Sequence, residues 1–133
     1  MAVGRALKAG LIYFLIVFAI GFVLGAARVL WVAPHLGVTM AVSLEVPLML
    51  AASWIVCKAI LARRSPGRGM SARLLMGASA FLFLQVAELG LSVALGRTPT
   101  QHFAGYVTGA GVIGLAAQLG FGVMPVLLGE DLG

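Results

Sequence analysis

The chain alternates four long hydrophobic stretches with three short polar breaks. The stretches cover residues 7–32, 38–61, 72–95 and 103–128, and each has the roughly 20 residues that a membrane-spanning helix needs. Proline and glycine occur in all three breaks, at residues 34–37, 63–69 and 96–100, as expected where helices end. This pattern predicts an all-α integral membrane protein with four transmembrane helices. The short breaks predict an up-down-up-down bundle in which consecutive helices are antiparallel neighbours.

The composition supports a membrane protein. Hydrophobic residues make up 62% of the chain and charged residues 10%, unlike a soluble domain. A length of 133 residues leaves room for one domain, residues 1–133. The single cysteine, Cys57, excludes an intramolecular disulfide and a CxxC redox pair. The N-terminus resembles a signal peptide, but its apolar run exceeds the roughly 7–15 residues of a signal sequence, so we interpret it as a retained first helix.

The basic residues predict the orientation in the membrane. Arg5 and Lys8 flank the start of the first stretch, the middle break is strongly basic, and the other two breaks hold only Arg97. The positive-inside rule then places both termini and the middle break in the cytoplasm, and we expect a bacterial cytoplasmic (inner) membrane. The net charge of +5 flanks apolar segments, so we expect no nucleic-acid partner. Anionic lipid headgroups are the expected partners of Arg63, Arg64, Arg68 and Arg73.

Three charged residues lie well inside the apolar stretches, whereas Lys8, Lys58 and Arg73 lie within three residues of an end. Of the four acidic residues, Glu130 and Asp131 are in the tail, whereas Glu45 and Glu88 are intramembrane, as is Arg28. A charge at the bilayer centre costs about 2.5–3.5 kcal/mol, so such residues usually face a bundle interior or a cavity. Counted from the outer helix ends, all three fall roughly 9–12 Å deep, in one layer. We therefore predict that Arg28 contacts Glu45 or Glu88.

Polar neighbours extend this layer. Gln85 and Ser92 share a helical face with Glu88, and the fourth stretch supplies Tyr106 and Gln118. One arginine against two glutamates leaves a formal charge of −1, so we predict that one glutamate is protonated at neutral pH or that a cation binds. A proton-coupled site requires this property. The predicted substrate- and proton-binding residues are Arg28, Glu45, Glu88, Gln85, Ser92, Tyr106 and Gln118.

The histidines and aromatic residues receive simpler interpretations. His35 and His102 lie at the outer boundary without metal-ligand spacing, so we expect no cofactor, a haem or metal through this pair being the alternative. Because histidine titrates near neutrality, both could tune the pH response of the outer mouth. The positions of Tyr13, Trp31 and Trp54, like that of Tyr106, predict interfacial aromatic belts.

Three functions are compatible with this pattern. The preferred one is a small proton-linked carrier or channel, for which an anionic or zwitterionic solute would suit Arg28. The second is a non-catalytic accessory subunit of a larger membrane complex, in which the charges only set the register of the helices. The third is a small membrane enzyme that uses a glutamate as general acid or base on a lipid, although we favour a non-enzymatic role. Glycine-rich helix faces predict a homo-oligomer or docking to a larger complex.

Overall fold

The computed structural model describes residues 2–63 and 69–132, which are helical with short turns and without a strand. Its four long helices are α1 (Ala2–Ala27), α3 (Val38–Arg63), α4 (Gly69–Ala94) and α6 (Gly109–Leu132). Between them lie a π-helix (Arg28–Val32), α2 (Ala33–Leu36), α5 (Pro99–Ala104) and a 3-10 turn (Gly105–Val107). Four helical segments are long and apolar enough to cross a membrane. The predicted all-helical class with four such helices is confirmed.

The first span ends later than predicted. The break was expected at Pro34, but helical structure continues through the π-helix and α2, giving an apolar span of Val3–Leu36. Proline lacks the N–H that an α-helix needs, and the wider π-helical register precedes it, with the Ala33 N–H bonded to the Arg28 carbonyl. The helix stops at Gly37, whose φ of 86° favours glycine.

The fourth span begins later than the predicted residue 103. The side chain of Thr98 accepts a hydrogen bond from the Gln101 N–H, and this capping box starts the short helix α5. The Thr108 hydroxyl then donates to the Gly105 carbonyl at 2.7 Å and accepts from the Gly111 N–H at 3.0 Å, just where α6 starts. Tyr106 therefore lies in the 3-10 turn before α6 instead of on the spanning helix.

The four long helices form a ring in which α1 contacts α3 and α4, and α6 contacts the same two. Gly10 lies against Ser79 and Phe14 against Phe83, so α1 and α4 run parallel. Gly21 lies against Met49 and Arg28 pairs with Glu45, so α1 and α3 run antiparallel. The prediction that consecutive helices are neighbours is wrong for α3 and α4. In the part of the chain that the structure describes, no Cα atom of one lies within 8 Å of the other.

Glycine brings α4 and α6 into close contact. A Cβ atom at Gly77 would lie only 1.9 Å from the carbonyl oxygen of Gly122. In a membrane, where lipid is as apolar as a leucine side chain, such small-residue contacts let helix backbones approach and gain dispersion energy. The backbones of α4 and α6 therefore lie close together at Gly77 and Gly122, on the side of the charged layer nearer the middle break.

Tyr13 lies in the centre of the bundle, which corrects its predicted place in an interfacial belt. Its side chain is 0% exposed, whereas Trp31 is 66% exposed. The Tyr13 hydroxyl donates to the Phe121 carbonyl at 2.7 Å, and the two rings stack with centroids 4.2 Å apart. Pro125, four residues after Phe121, has no N–H to offer that carbonyl. The tyrosine from α1 therefore takes the place of the missing donor in α6.

Candidate functional site

A cavity of about 590 Å³ lies between the four long helices. Its wall on α4 runs from Leu84 to Leu91, which corresponds to a height of about 10 Å at 1.5 Å per residue, and Leu95 lines it just beyond the helix end. Most of the lining is apolar and includes the rings of Phe18 and Phe121. The polar residues among those that line the cavity are Arg28, Glu45, Ser53, Glu88 and Gln118.

Arg28 pairs with Glu45 at the cavity wall. The Nη1 atom of Arg28 donates to Oε2 of Glu45 at 2.5 Å, and their side chains are 32% and 14% exposed. Arg28 is the first residue of the π-helix, a type of segment that often occurs at functional sites. Arg28 thus contacts one of the two glutamates, as predicted from their common depth. Because the guanidinium stays charged, this pair is electrically neutral overall when Glu45 is ionised.

Glu88 has a different environment. Its two carboxylate oxygens accept hydrogen bonds from the Gln118 amide, at 2.7 Å and 2.8 Å. Within residues 2–63 and 69–132, no basic side chain lies within 4.0 Å of this carboxylate. The structure thus divides the predicted trio into a neutral Arg28–Glu45 pair and a separate carboxylate. Among the described residues, Glu88 is therefore the glutamate of the layer without a basic partner.

A chain of hydrogen bonds joins Glu88 to the turn before α6. The Gln118 carbonyl oxygen accepts from the Gln85 amide at 2.6 Å, and the Gln85 carbonyl oxygen accepts from the Tyr106 hydroxyl at 2.7 Å. The Tyr106 hydroxyl also lies 3.1 Å from Nε2 of His102. Four of the predicted site residues are therefore joined, and His102 forms the end of the chain opposite Glu88.

Tyr106 keeps its proton within this chain. Burial raises the pKa of Tyr106, and the nearby carboxylate of Glu88 raises it further, because both disfavour the phenolate. The hydroxyl therefore stays an uncharged hydrogen-bond donor throughout the neutral pH range. It can link Gln85 and His102 without becoming a phenolate.

Ser92 is a predicted site residue that the structure does not bring to the others. It is 8% exposed, but it does not line the cavity, and its hydroxyl has no hydrogen-bond partner among the described residues. The shared helical face with Glu88 placed it in the prediction. Ser92 lies one helical turn beyond Glu88 on α4, on the side away from Gln85, and therefore takes no part in the hydrogen-bond chain.

The histidines do not form a common site in the described ranges. His35 is exposed and its Nδ1 lies 2.7 Å from the Trp31 carbonyl, whereas His102 is buried beside Tyr106. Residues 2–63 and 69–132 contain no group of three His, Cys, Asp or Glu side chains that could hold a metal. Their predicted role in tuning pH response stays a prediction.

Two residues of this region were not predicted as site residues. His102 was interpreted as a boundary histidine, although its spacing of four residues from Tyr106 is the spacing of contacts on a helix. Ser53 was not among the predicted site residues, but it lines the cavity next to Tyr13. The sequence contained a signal for His102 only. The role of Ser53 could not be predicted, because its place on the cavity wall depends on how α1 packs against α3.

The basic residues near the middle break lie at the opposite end of the bundle from the charged layer. Arg63 ends α3 and Arg73 lies in the second turn of α4. Arg64 and Arg68, the other two predicted headgroup contacts, lie outside the described residues.

Comparison of the chain with protein-family models, with curated proteins and with solved structures gave no match.

Proposed function

We propose that this chain is a small membrane carrier or channel in which a solute occupies the cavity and Glu88 binds a proton. The observation that carries the proposal is the cavity itself. It lies between all four long helices, has a volume of about 590 Å³, and presents one guanidinium and two carboxylates on an otherwise mostly apolar wall. Intramembrane charges that face a cavity usually mark the pathway of a substrate, an ion or a proton.

The pairing pattern supports a separate role for Glu88. Arg28 offsets the charge of Glu45, so the remaining carboxylate in a low-dielectric layer must take up a proton or find a cation. A zwitterionic solute suits this arrangement because its ammonium group can face Glu88 while its acidic group faces the free N–H groups of Arg28. Exchange of that ammonium group for a proton on Glu88 would link solute binding to pH.

The orientation is part of the proposal. With both termini and the middle break in the cytoplasm, as the positive-inside rule favours, the charged layer lies nearer the outer face of a bacterial inner membrane. Arg63, Arg73 and the other basic residues near the middle break then contact anionic headgroups on the cytoplasmic side. Self-association or docking to a larger complex stays a prediction from the glycine-rich faces.

The test is solute-dependent proton movement in proteoliposomes. Purified protein is reconstituted with a pH-sensitive dye inside the vesicles, and glycine, betaine, succinate or tetraethylammonium is added outside at several pH values. We expect at least one of these solutes to change the internal pH. The variant Glu88→Gln should abolish that change because the amide cannot bind the proton.

The matched control is Gly90→Ala. It lies on the same helix two residues away, and a Cβ atom there meets nothing within 4 Å, so flux should be unchanged. A Glu88→Gln variant that folds and retains the wild-type pH-dependent flux would show that the proposal is wrong.

The accessory-subunit function is the second candidate, and the Arg28–Glu45 pair is the observation that favours it. This pair joins the end of α1 to α3 and could serve only to fix their register. An accessory subunit should co-purify from its native membrane in mild detergent with one partner at a fixed stoichiometry. Purification as a homo-oligomer alone would count against this candidate.

A further inference from the structure

The first span and α4 separate at the end of the bundle away from the middle break. Nearer the middle break the two are in contact, as the neighbouring rings of Phe14 and Phe83 show. Beyond α1 the first span packs on α3 instead. In the part of the chain that the structure describes, no Cα atom of residues 28–36 lies within 8 Å of α4 or α6. The π-helix and the last turns of α4 therefore leave a gap between them.

The cavity reaches the surface of the bundle through this gap. Val29 and Leu30 of the π-helix line the cavity on one side, and Leu91 and Leu95 line it on the other. Leu91 is 37% exposed, and the other three are 61%, 62% and 75% exposed. A residue can line a cavity and also be exposed only where that cavity opens. Since the π-helix and α4 both belong to apolar spans, this side opening leads into the lipid.

The polar and apolar parts of the cavity wall lie at different levels. On α3, Ser53 follows Glu45 by eight residues, so the wall continues for about 12 Å beyond the charged layer towards the middle break. This section is called the apolar pocket. It is lined by Val17, Phe18, Val46, Met49, Leu84 and Phe121. A ligand that fits both levels has a charged part and an apolar part.

The charges of the layer select the charged part of the ligand. Arg28 is paired with Glu45, whereas Glu88 has no basic side chain within 4.0 Å among the described residues. A charge in a low-dielectric layer is stabilised by a partner of opposite sign, and an ammonium group supplies one to Glu88. A phosphate or carboxylate on the same headgroup can accept from the guanidinium of Arg28. A zwitterionic headgroup therefore complements the layer.

The apolar pocket selects the other part of the ligand. A polar group placed there would lose its hydrogen bonds to water without replacement, whereas a hydrocarbon chain loses none. The cavity volume of about 590 Å³ lies within the roughly 300–1,000 Å³ of pockets that enclose drug-sized ligands, and a two-chain phospholipid is larger than such ligands. One chain with one headgroup fits this volume.

We infer that the solute of the proposed function is a single-chain amphiphile with a zwitterionic headgroup, which enters from the lipid through the side opening. Its headgroup lies between Arg28 and Glu88, and its chain occupies the apolar pocket. The inference rests on the proposed function, because it names the class of solute that binds in the same cavity. A lipid chain is as apolar as a leucine side chain, so the chain gains little by leaving the bilayer. The headgroup therefore provides the selectivity and the chain provides the route.

The experiment is photolabelling in nanodiscs with dodecyl betaine that carries a diazirine at the end of its chain. Mass spectrometry of peptides locates the label after illumination. We expect label on Leu84 and Phe121, which are 7% and 3% exposed and are therefore hidden from the surrounding lipid. Leu82 and Val86, which are 61% and 64% exposed on α4, report labelling from the bilayer. An excess of unlabelled dodecyl betaine should remove the label from the first pair and spare the second.

A cavity-filling variant and a matched control test the location. Gly114 lines the cavity, and a Cβ atom there meets nothing within 4 Å, so Gly114→Phe should fill the cavity without displacing the backbone. This variant should lose the label on Leu84 and Phe121. Gly90 is exposed and also has nothing within 4 Å of its Cβ position, but it does not line the cavity, so Gly90→Phe should retain the label. If Gly114→Phe fails to fold, Gly114→Leu replaces it.

Two further probes test the ligand class. Dodecanol with the same diazirine lacks the zwitterionic headgroup, and a two-chain phosphatidylcholine with the same diazirine exceeds the volume of the cavity. Neither should label Leu84 or Phe121 above the level in Gly114→Phe. Label confined to Leu82 and Val86 with dodecyl betaine would overturn the inference. Labelling of Leu84 and Phe121 that is equal with all three probes, or unchanged in Gly114→Phe, would also overturn it.

The two proposals can fail separately. Specific labelling of Leu84 and Phe121 without solute-dependent proton movement would exclude the carrier or channel and retain the amphiphile site. Proton movement with betaine that depends on Glu88, without label on these two residues, would retain the proposed function and exclude the amphiphile.

Discussion

The bond between Tyr13 and the Phe121 carbonyl gives a sharp prediction for stability. Tyr13→Phe keeps the ring, its stacking on Phe121 and nearly all its volume, but removes the hydroxyl that donates to the carbonyl left without an α-helical donor by Pro125. Because Tyr13 is 0% exposed, no water can easily replace the hydroxyl. The variant should therefore unfold more readily.

The expected loss is about 1–2 kcal/mol in the free energy of unfolding. Hydrogen bonds between transmembrane helices average about 0.6 kcal/mol and reach about 1.7 kcal/mol. A buried carbonyl left without a partner costs about 1–3 kcal/mol. The bond of Tyr13 should lie near the upper end of the first range, since its acceptor has no alternative within the helix.

The assay is equilibrium unfolding by SDS in mixed micelles, followed by circular dichroism, in wild-type and Pro125→Ala backgrounds. An alanine supplies the N–H that the Phe121 carbonyl lacks, so Tyr13→Phe should then cost less than about 0.5 kcal/mol. Losses from the neighbouring Ser53 or from altered packing occur in both backgrounds and cancel in the cycle. An equal cost of Tyr13→Phe in the two backgrounds would refute the reasoning.

Two further predictions concern packing and charge. Gly77→Ala should destabilise the protein by about 1–3 kcal/mol in the same assay, because its Cβ atom would lie 1.9 Å from the Gly122 carbonyl oxygen, whereas Gly90→Ala on the same helix should be neutral. Arg28→Met should cost about 1–3 kcal/mol by leaving Glu45 without its cation, and adding Glu45→Gln should recover part of that loss. Equal stability of the two alanine variants, or a double variant less stable than Arg28→Met, would contradict these respective arguments.

The sequence carried most of the information about the helices. Four apolar stretches of spanning length, separated by Pro- and Gly-containing breaks, predicted four long helices, and the structure has them. The predicted ends of the first and fourth helices were wrong because a side-chain cap and a change of backbone register, and not composition alone, decide where these helices end. Pro34 does not end the first span because a π-helix precedes it, and the cap of Thr98 with the turn at Thr108 separates Tyr106 from α6.

Part of the candidate site could be predicted from the sequence, because the depth of a residue along a helix follows from the residue count. The sequence could therefore place Arg28, Glu45 and Glu88 in one layer and predict a contact of the arginine with a glutamate. It could not choose the partner. That choice depends on the faces that α1, α3 and α4 turn towards each other, and the two glutamates were equivalent until the helices were packed.

The sequence by itself determined the helical class, the number of apolar spans and the presence of an excess intramembrane carboxylate, because these follow from local composition and spacing. Only the tertiary structure decided that α3 and α4 lie diagonally, that Tyr13 serves the carbonyl freed by Pro125, and that Glu88 is joined to His102. Each of these depends on contacts between distant segments. Hydrophobic periodicity does not encode such contacts, because every helix in a lipid bilayer is apolar on most of its faces.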